Sequence, residues 1–135
     1  MKTMTTLLAG AMVFAITSVT AFGHHSFAMF DQTQKVTIEG VVAQVEWTNP
    51  HVWVEVDVPQ DDGTSVRWGI EFTSVVHLTR RGMTMNTVKF GDEVEFTLSP
   101  YADGSPGGRF FTVKLPNGQY YCDVGAAQNV CQENN

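Results

Sequence analysis

Residues 52–72 read VWVEVDVPQDDGTSVRWGIEF, and this stretch decides the fold. Val52, Val54, Val56 and Val58 alternate with Trp53, Glu55 and Asp57, the period of two that sends successive side chains to opposite faces of a strand. Pro59 to Ser65, centred on Asp61-Asp62-Gly63, supplies turn chemistry, and Val66, Trp68, Ile70 and Phe72 form a returning apolar row. A slip of one residue would turn a row of valines into water, so the apolar faces must align. Val58 then lies opposite Val66, Val56 opposite Trp68, Val54 opposite Ile70 and Val52 opposite Phe72. The other face pairs Asp57 with Arg67 and Trp53 with Glu71, and opposite charges directly across strands contribute about 0.2–1 kcal/mol.

Upstream of this hairpin, Val36 and Ile38 share one phase, while Val41, Ala43, Val45 and Trp47 share the other. The change of phase at Gly40 predicts a bulge that bends one long strand. Thr48-Asn49-Pro50 then breaks it. Downstream, Thr73 or Ser74 caps a short helix with Val75, Val76 and Leu78 facing inward, Arg80 and Arg81 in the last turn and Gly82 ending it. Phe90-Gly91-Asp92 turns into a strand carrying Val94, Phe96 and Leu98. Pro100 to Gly108 reads as a long loop, Phe111, Val113 and Leu115 as a further strand, and Asn117-Gly118 as a hairpin turn into Gln119, Tyr120 and Tyr121. No internal repeat is present. The order predicts an all-β fold: a small OB-like β-barrel, closed or partly open, with one short helix between the third and fourth strands. A β-sandwich is the alternative, because strand count alone does not separate the two. The bend and the single helix favour the barrel, whose closure removes exposed edges.

The chain divides into three parts: residues 1–23 as a signal peptide, 24–121 as the barrel domain, and 122–135 as a polar tail holding Cys131. The leader has a basic Lys2, an apolar run from Leu7 to Ile16, and small residues after it, the layout of an export signal. That run falls short of the ~20 apolar residues a spanning helix needs, which sets aside the alternative of a membrane anchor. The expected location is periplasmic or secreted, with no stable membrane insertion after cleavage. In such an oxidising compartment Cys122 and Cys131 form a disulfide; a thiolate site for Cu(I) is the competing reading. The formal charge is −6, and the leader holds Lys2 and no acid, so the mature chain is more acidic still. An acidic chain of this kind argues against nucleic acid, whose backbone calls for clustered Lys and Arg.

His24 and His25 stand where the leader ends. Cleavage after Gly23 would release a chain beginning His24-His25-Ser26, whose terminal amine and imidazole chelate one ion. Cleavage after Ala21 would release Phe22-Gly23-His24, which offers four nitrogens in a plane. Both arrangements suit Cu(II). His51, following Pro50 at a turn between two strands, is the next donor. One candidate site therefore places His24 or His25, His51 and Glu71 around Cu(II), shielded by Trp47 or Trp53. The plainer readings are that His51 caps a turn, Glu71 is solvated or paired with arginine, and Trp47, Trp53 and Trp68 are packing mass rather than a ligand surface. No Ser-His-Asp spacing, zinc-protease helix or phosphate loop is present, so an enzyme is the less favoured class. Three functions remain: an exported copper-binding protein; a module that binds a small ligand or another periplasmic protein without metal; and, last, a copper redox enzyme with a terminal-histidine site.

The marks His24-His25-Ser26-Phe27, Gly40-Val41-Val42, Trp47-Thr48-Asn49-Pro50-His51-Val52-Trp53, Trp68 with Glu71, Leu78 with Arg80-Arg81-Gly82, Gly91-Asp92-Glu93-Val94 and Asp103-Gly104-Ser105 resemble an uncharacterised family of small exported bacterial proteins, a domain of unknown function. The Trp47 to Trp53 run is the most specific of these. The resemblance covers His24 to about Gly118 and leaves out both cysteines. It implies export and an OB-like fold, and it carries no catalytic residue across.

Overall fold

The computed structural model describes residues 27–123 and Cys131. Residues 1–26, with His24, His25 and the expected signal peptide, lie outside the described residues. After a 3-10 turn at Phe27–Met29 come β1 (Val36–Glu46), β2 (Trp53–Pro59), β3 (Ser65–Glu71), α1 (Val75–Thr79), β4 (Glu93–Pro100), β5 (Gly107–Lys114) and β6 (Tyr120–Cys122). The hairpin has the register its valine rows require. Val54 faces Ile70, Val56 faces Trp68 and Val58 faces Val66, with Asp57 opposite Arg67 and Trp53 opposite Glu71. The Phe72 amide donates to the Val52 carbonyl, extending the ladder one pair further.

Neighbouring strands run in the order β3-β2-β1-β4-β5-β6, and a parallel pairing of β3 with β5 joins the two sides of the sheet. Strands β1 to β5 thus close into a five-stranded barrel, with α1 between β3 and β4, an all-β OB-like architecture. The seam is narrow because it is built on glycine: Gly69 faces Gly107 and Ile70 faces Gly108. Inside, Val42, Val54, Val56, Ile70, Leu78, Phe96, Leu98, Phe110 and Val113 are fully buried. Phe72 stacks on Phe110 with ring centres 4.1 Å apart, and Phe96 meets both rings edge-on.

Three local expectations are corrected. The bulge in β1 lies between Val42 and Gln44, not at Gly40. Gly40 continues the inward phase, where an added Cβ would come within 2.5 Å of the Asp57 carbonyl oxygen. A residue with no side chain cannot report its own face, so the alternation places the phase change three positions before the strand makes it. Val42 is therefore buried and Val41 exposed, while Val45 and Trp47 pack on the core as expected. In α1, Ser74 is the N-cap and Leu78 is buried, but Val76 is 52% exposed because a five-residue helix has only a narrow buried face. In β5, a second bulge opposite Thr97 and Leu98 makes Phe110, not Phe111, the buried ring.

Asn117-Gly118 forms the turn into β6, with the Leu115 amide donating to the Gln119 carbonyl and Gly118 at φ +85°. Cys122 belongs to β6, and the Asp123 amide donates to the Phe111 carbonyl, so both residues lie against the barrel. Cys122 and Cys131 form a disulfide. In the chain-entropy account a loop of this size stabilises by about 2–3 kcal/mol.

Candidate functional site

The loop between β1 and β2 is anchored at both ends. The Asn49 side-chain oxygen accepts from the Val75 amide at 3.3 Å, tying the loop to the start of α1, and the Asn49–Pro50 peptide is cis. The Val52 amide donates to the Thr73 carbonyl. His51 shares the outward parity of Trp53, and Trp53 is directly opposite Glu71. The His51 imidazole accordingly meets Glu71: Nδ1 and Oε1 are hydrogen-bonded, or ion-paired when the ring is protonated. The His51 side chain is 43% exposed, whereas that of Glu71 is only 11% exposed.

A buried carboxylate is costly without partners, so this contact is what allows Glu71 to sit where it does. It is neither solvated nor idle. When Nδ1–H donates to the carboxylate, the lone pair of Nε2 is left for a ligand, the arrangement in which acids orient metal-binding histidines. Glu71 Oε1 is engaged by the His51 ring in this geometry.

Three features surround the pair. The Trp53 ring lies over Gly69, where an added Cβ would fall 2.4 Å from Cζ2. The Tyr101 ring lies over Gly107 in the same manner. Burial raises the Tyr101 phenol pKa, with the nearby Glu71 charge as the next cause and Asp103 after it. Phe30 stacks on Tyr101 with centres 5.2 Å apart. Backbone bonds from Asp31 to Pro100 and from Ala102 to Met29 tie the amino-terminal segment to the β4–β5 loop. On the far side, Arg109 is the β5 residue facing Glu71, and its Nη2 donates to Asp123 Oδ2 at 2.9 Å.

Other candidates separate from this end. Trp47 and Trp68 pack against the core, whereas the Trp53 ring lies over Gly69. The turn carboxylates are consumed locally. Asp31, Asp62 and Asp103 each accept from the amide and hydroxyl of Thr33, Thr64 and Ser105 respectively, which lowers their pKa. His77 Nδ1 contacts the Thr73 and Ser74 hydroxyls. Among the described residues no group of three or more His, Cys, Asp or Glu side chains could hold a metal ion together. Tyr101, Phe30, Arg109 and Asp123 carried no signal in the sequence, because none belongs to a motif and their grouping near Glu71 depends on tertiary pairings.

One surface pair has a readable pH signature. Arg67 holds both Asp57 oxygens, at 2.9 and 3.0 Å, and this hydrogen bond lowers the Asp57 pKa. A lowered carboxyl contributes stability that is complete above its unfolded value and is lost as pH falls through the folded one. Arg67→Gln should therefore lower the melting temperature slightly at pH 7, with the difference from wild type fading below about pH 4. Melting curves across that range check it; a difference that grew in acid would contradict the pairing.

The fold and this pair define a small OB-like barrel bearing an outward, carboxylate-backed histidine at one end. The chain belongs to DUF6152, a family of unknown function, whose model matches residues 12–110. No curated protein matches it. Among solved structures it is similar to the mitochondrial single-stranded DNA binding protein Rim1 of S. cerevisiae, at 14% identity and a TM-score of 0.47, covering 62% of this chain and 93% of that one. It is also similar to a ZRD-deleted mutant of TiaS in complex with agmatine, at 14% identity and a TM-score of 0.41, covering 70% of this chain and 23% of that one. Neither likeness bears on what this chain binds.

Proposed function

We propose that this is an exported copper-binding protein, for storage, delivery or tolerance, in which His51 and the amino-terminal histidines share one Cu(II). The observation that carries the reading is the His51–Glu71 contact, which engages Nδ1 and leaves Nε2 of a part-exposed ring for a ligand. The pinned course of the chain adds to it. Phe30 is held on Tyr101, near Glu71, and His25 lies only five residues earlier in the chain. His24, His25 or a terminal amine freed by cleavage can therefore complete a nitrogen-rich set, which suits Cu(II) over harder ions. The leader pattern supports export and the processing this site requires.

Cu(II) titration of the processed protein, followed by tryptophan fluorescence and electron paramagnetic resonance, tests the proposal. Trp53 lies opposite Glu71, so tight binding should quench its emission. His51→Ala and His24→Ala should each weaken binding by about tenfold or more, with His77→Ala unchanged. Equal affinity in all four proteins would reject the site. Amino-terminal sequencing of the exported product decides which nitrogens take part, and a retained leader would remove the terminal amine from the set.

A second reading rests on the rings of Trp53 and Tyr101, which lie over Gly69 and Gly107 on the outer face. They would serve a small ligand or a periplasmic protein without metal. Wild-type protein indifferent to Cu(II) would favour this second reading.

A further inference from the structure

We infer that Asp123 is a positioning residue for the His51–Glu71 pair: it engages the Arg109 guanidinium through Nη2 and so draws it from Glu71, whose Oε1 meets the imidazole. This rests on His51 being the metal donor. Glu71 and Arg109 are direct partners across the β3–β5 seam. An arginine so placed is a natural partner for a buried carboxylate, and its fork geometry competes well with a single imidazole nitrogen. Asp123 meets that competition from the other side, binding Arg109 through Oδ2 at 2.9 Å with its own side chain only 6% exposed.

Asp123 is held in place independently of Arg109. Its amide donates to the Phe111 carbonyl, and the preceding Cys122 is disulfide-bonded to Cys131. The Cys122 carbonyl also accepts from Arg81 Nη1 at 3.3 Å. Three features outside β5 (Arg81 from the segment after α1, strand β6 and the disulfide) thus deliver one carboxylate to the guanidinium. The extra strand after the five-stranded barrel acquires a role: it sets which partner Glu71 keeps.

The test compares processed wild type with Asp123→Asn, Asp123→Glu and the double variant Arg109→Gln/Asp123→Asn. Nitrogen-15 NMR of metal-free protein reads which His51 ring nitrogen carries the proton, and Cu(II) titration reads affinity. Asp123→Asn should shift the His51 signals away from the Nδ1-protonated pattern and weaken Cu(II) binding about tenfold, as losses of supporting partners do. Asp123→Glu should restore part of both, and the double variant should return both toward wild type, because the competing guanidinium is gone. Unchanged His51 signals in folded Asp123→Asn would overturn the inference. So would a double variant as disturbed as the single one, which would mark Asp123 as merely structural. If Asp123→Asn does not fold, the double variant is compared with wild type, and an altered His51 pattern overturns the inference. If wild type binds no Cu(II), the copper reading fails while the tautomer measurement still decides the role of Asp123.

Discussion

Phe110→Ala should lower the unfolding free energy by about 3–5 kcal/mol. The ring is fully enclosed, stacked on Phe72 and edge-on to Phe96, so truncation leaves a cavity among three aromatic rings at the barrel centre. Small domains hold only about 5–15 kcal/mol in total, so this single change takes a large share. Phe111→Ala is the control. That ring is half-buried on the other side of the strand with the Lys35 ammonium over it at 4.9 Å, and its loss should cost about 1 kcal/mol. Urea denaturation separates the two. A larger loss at Phe111 would mean that the β5 bulge lies elsewhere.

The second large effect is expected at the seam. Gly107 has φ +149°, and a Cβ there would come within 2.4 Å of the Gly69 carbonyl oxygen and 2.7 Å of the Tyr101 ring. Alanine therefore meets a backbone obstacle and a conformation that side chains rarely adopt, each worth about 1–3 kcal/mol. Gly107→Ala should cost about 2–6 kcal/mol on this reckoning. It should also speed hydrogen exchange along the Gly69–Glu71 segment. Gly104→Ala supplies the comparison: φ is +79° but nothing lies within 4 Å of an added Cβ, so only backbone strain of about 1 kcal/mol applies. Equal effects at the two glycines would show that the seam is not closely packed. Because Tyr101 rests on Gly107 and Phe30 stacks on Tyr101, Gly107→Ala should also disturb the His51 end of the barrel, which Phe110→Ala in a still-folded protein should affect less.

Much of the barrel was legible from period-two patterning. The β2–β3 register followed from two valine-bearing rows that must share a face, and six pairings from Val52–Phe72 to Val58–Val66 agree with it. The misplacements share one cause. At Gly40 and at the pair Phe110-Phe111 the pattern contains either no side chain or two equally apolar ones, and hydrophobicity alone then cannot say which residue a bulge leaves out. Val76 was misread because helical period over five residues does not define a face narrowly enough.

The site was legible in part. His51 and Glu71 were singled out, and cross-strand register already placed Glu71 opposite Trp53. Their contact was open to argument, because reach across a turn depends on the course of the Asn49–Pro50 loop. Arg109, Asp123, Tyr101 and Phe30 were not legible. Arg109 and Asp123 meet across the β5–β6 hairpin and Phe30 meets Tyr101 through a bridge, but only barrel closure brings Arg109 beside Glu71.

The linear order of side chains determined the strands, their inward faces, the central hairpin, the turn carboxylates and the acidity of the chain, since each depends on spacing along one segment. Tertiary structure alone decided the β3–β5 closure, the ring held inside β5, and the company Glu71 keeps. These are contacts between segments whose separation in sequence carries no periodic signal, and they form where glycine lets two backbones approach.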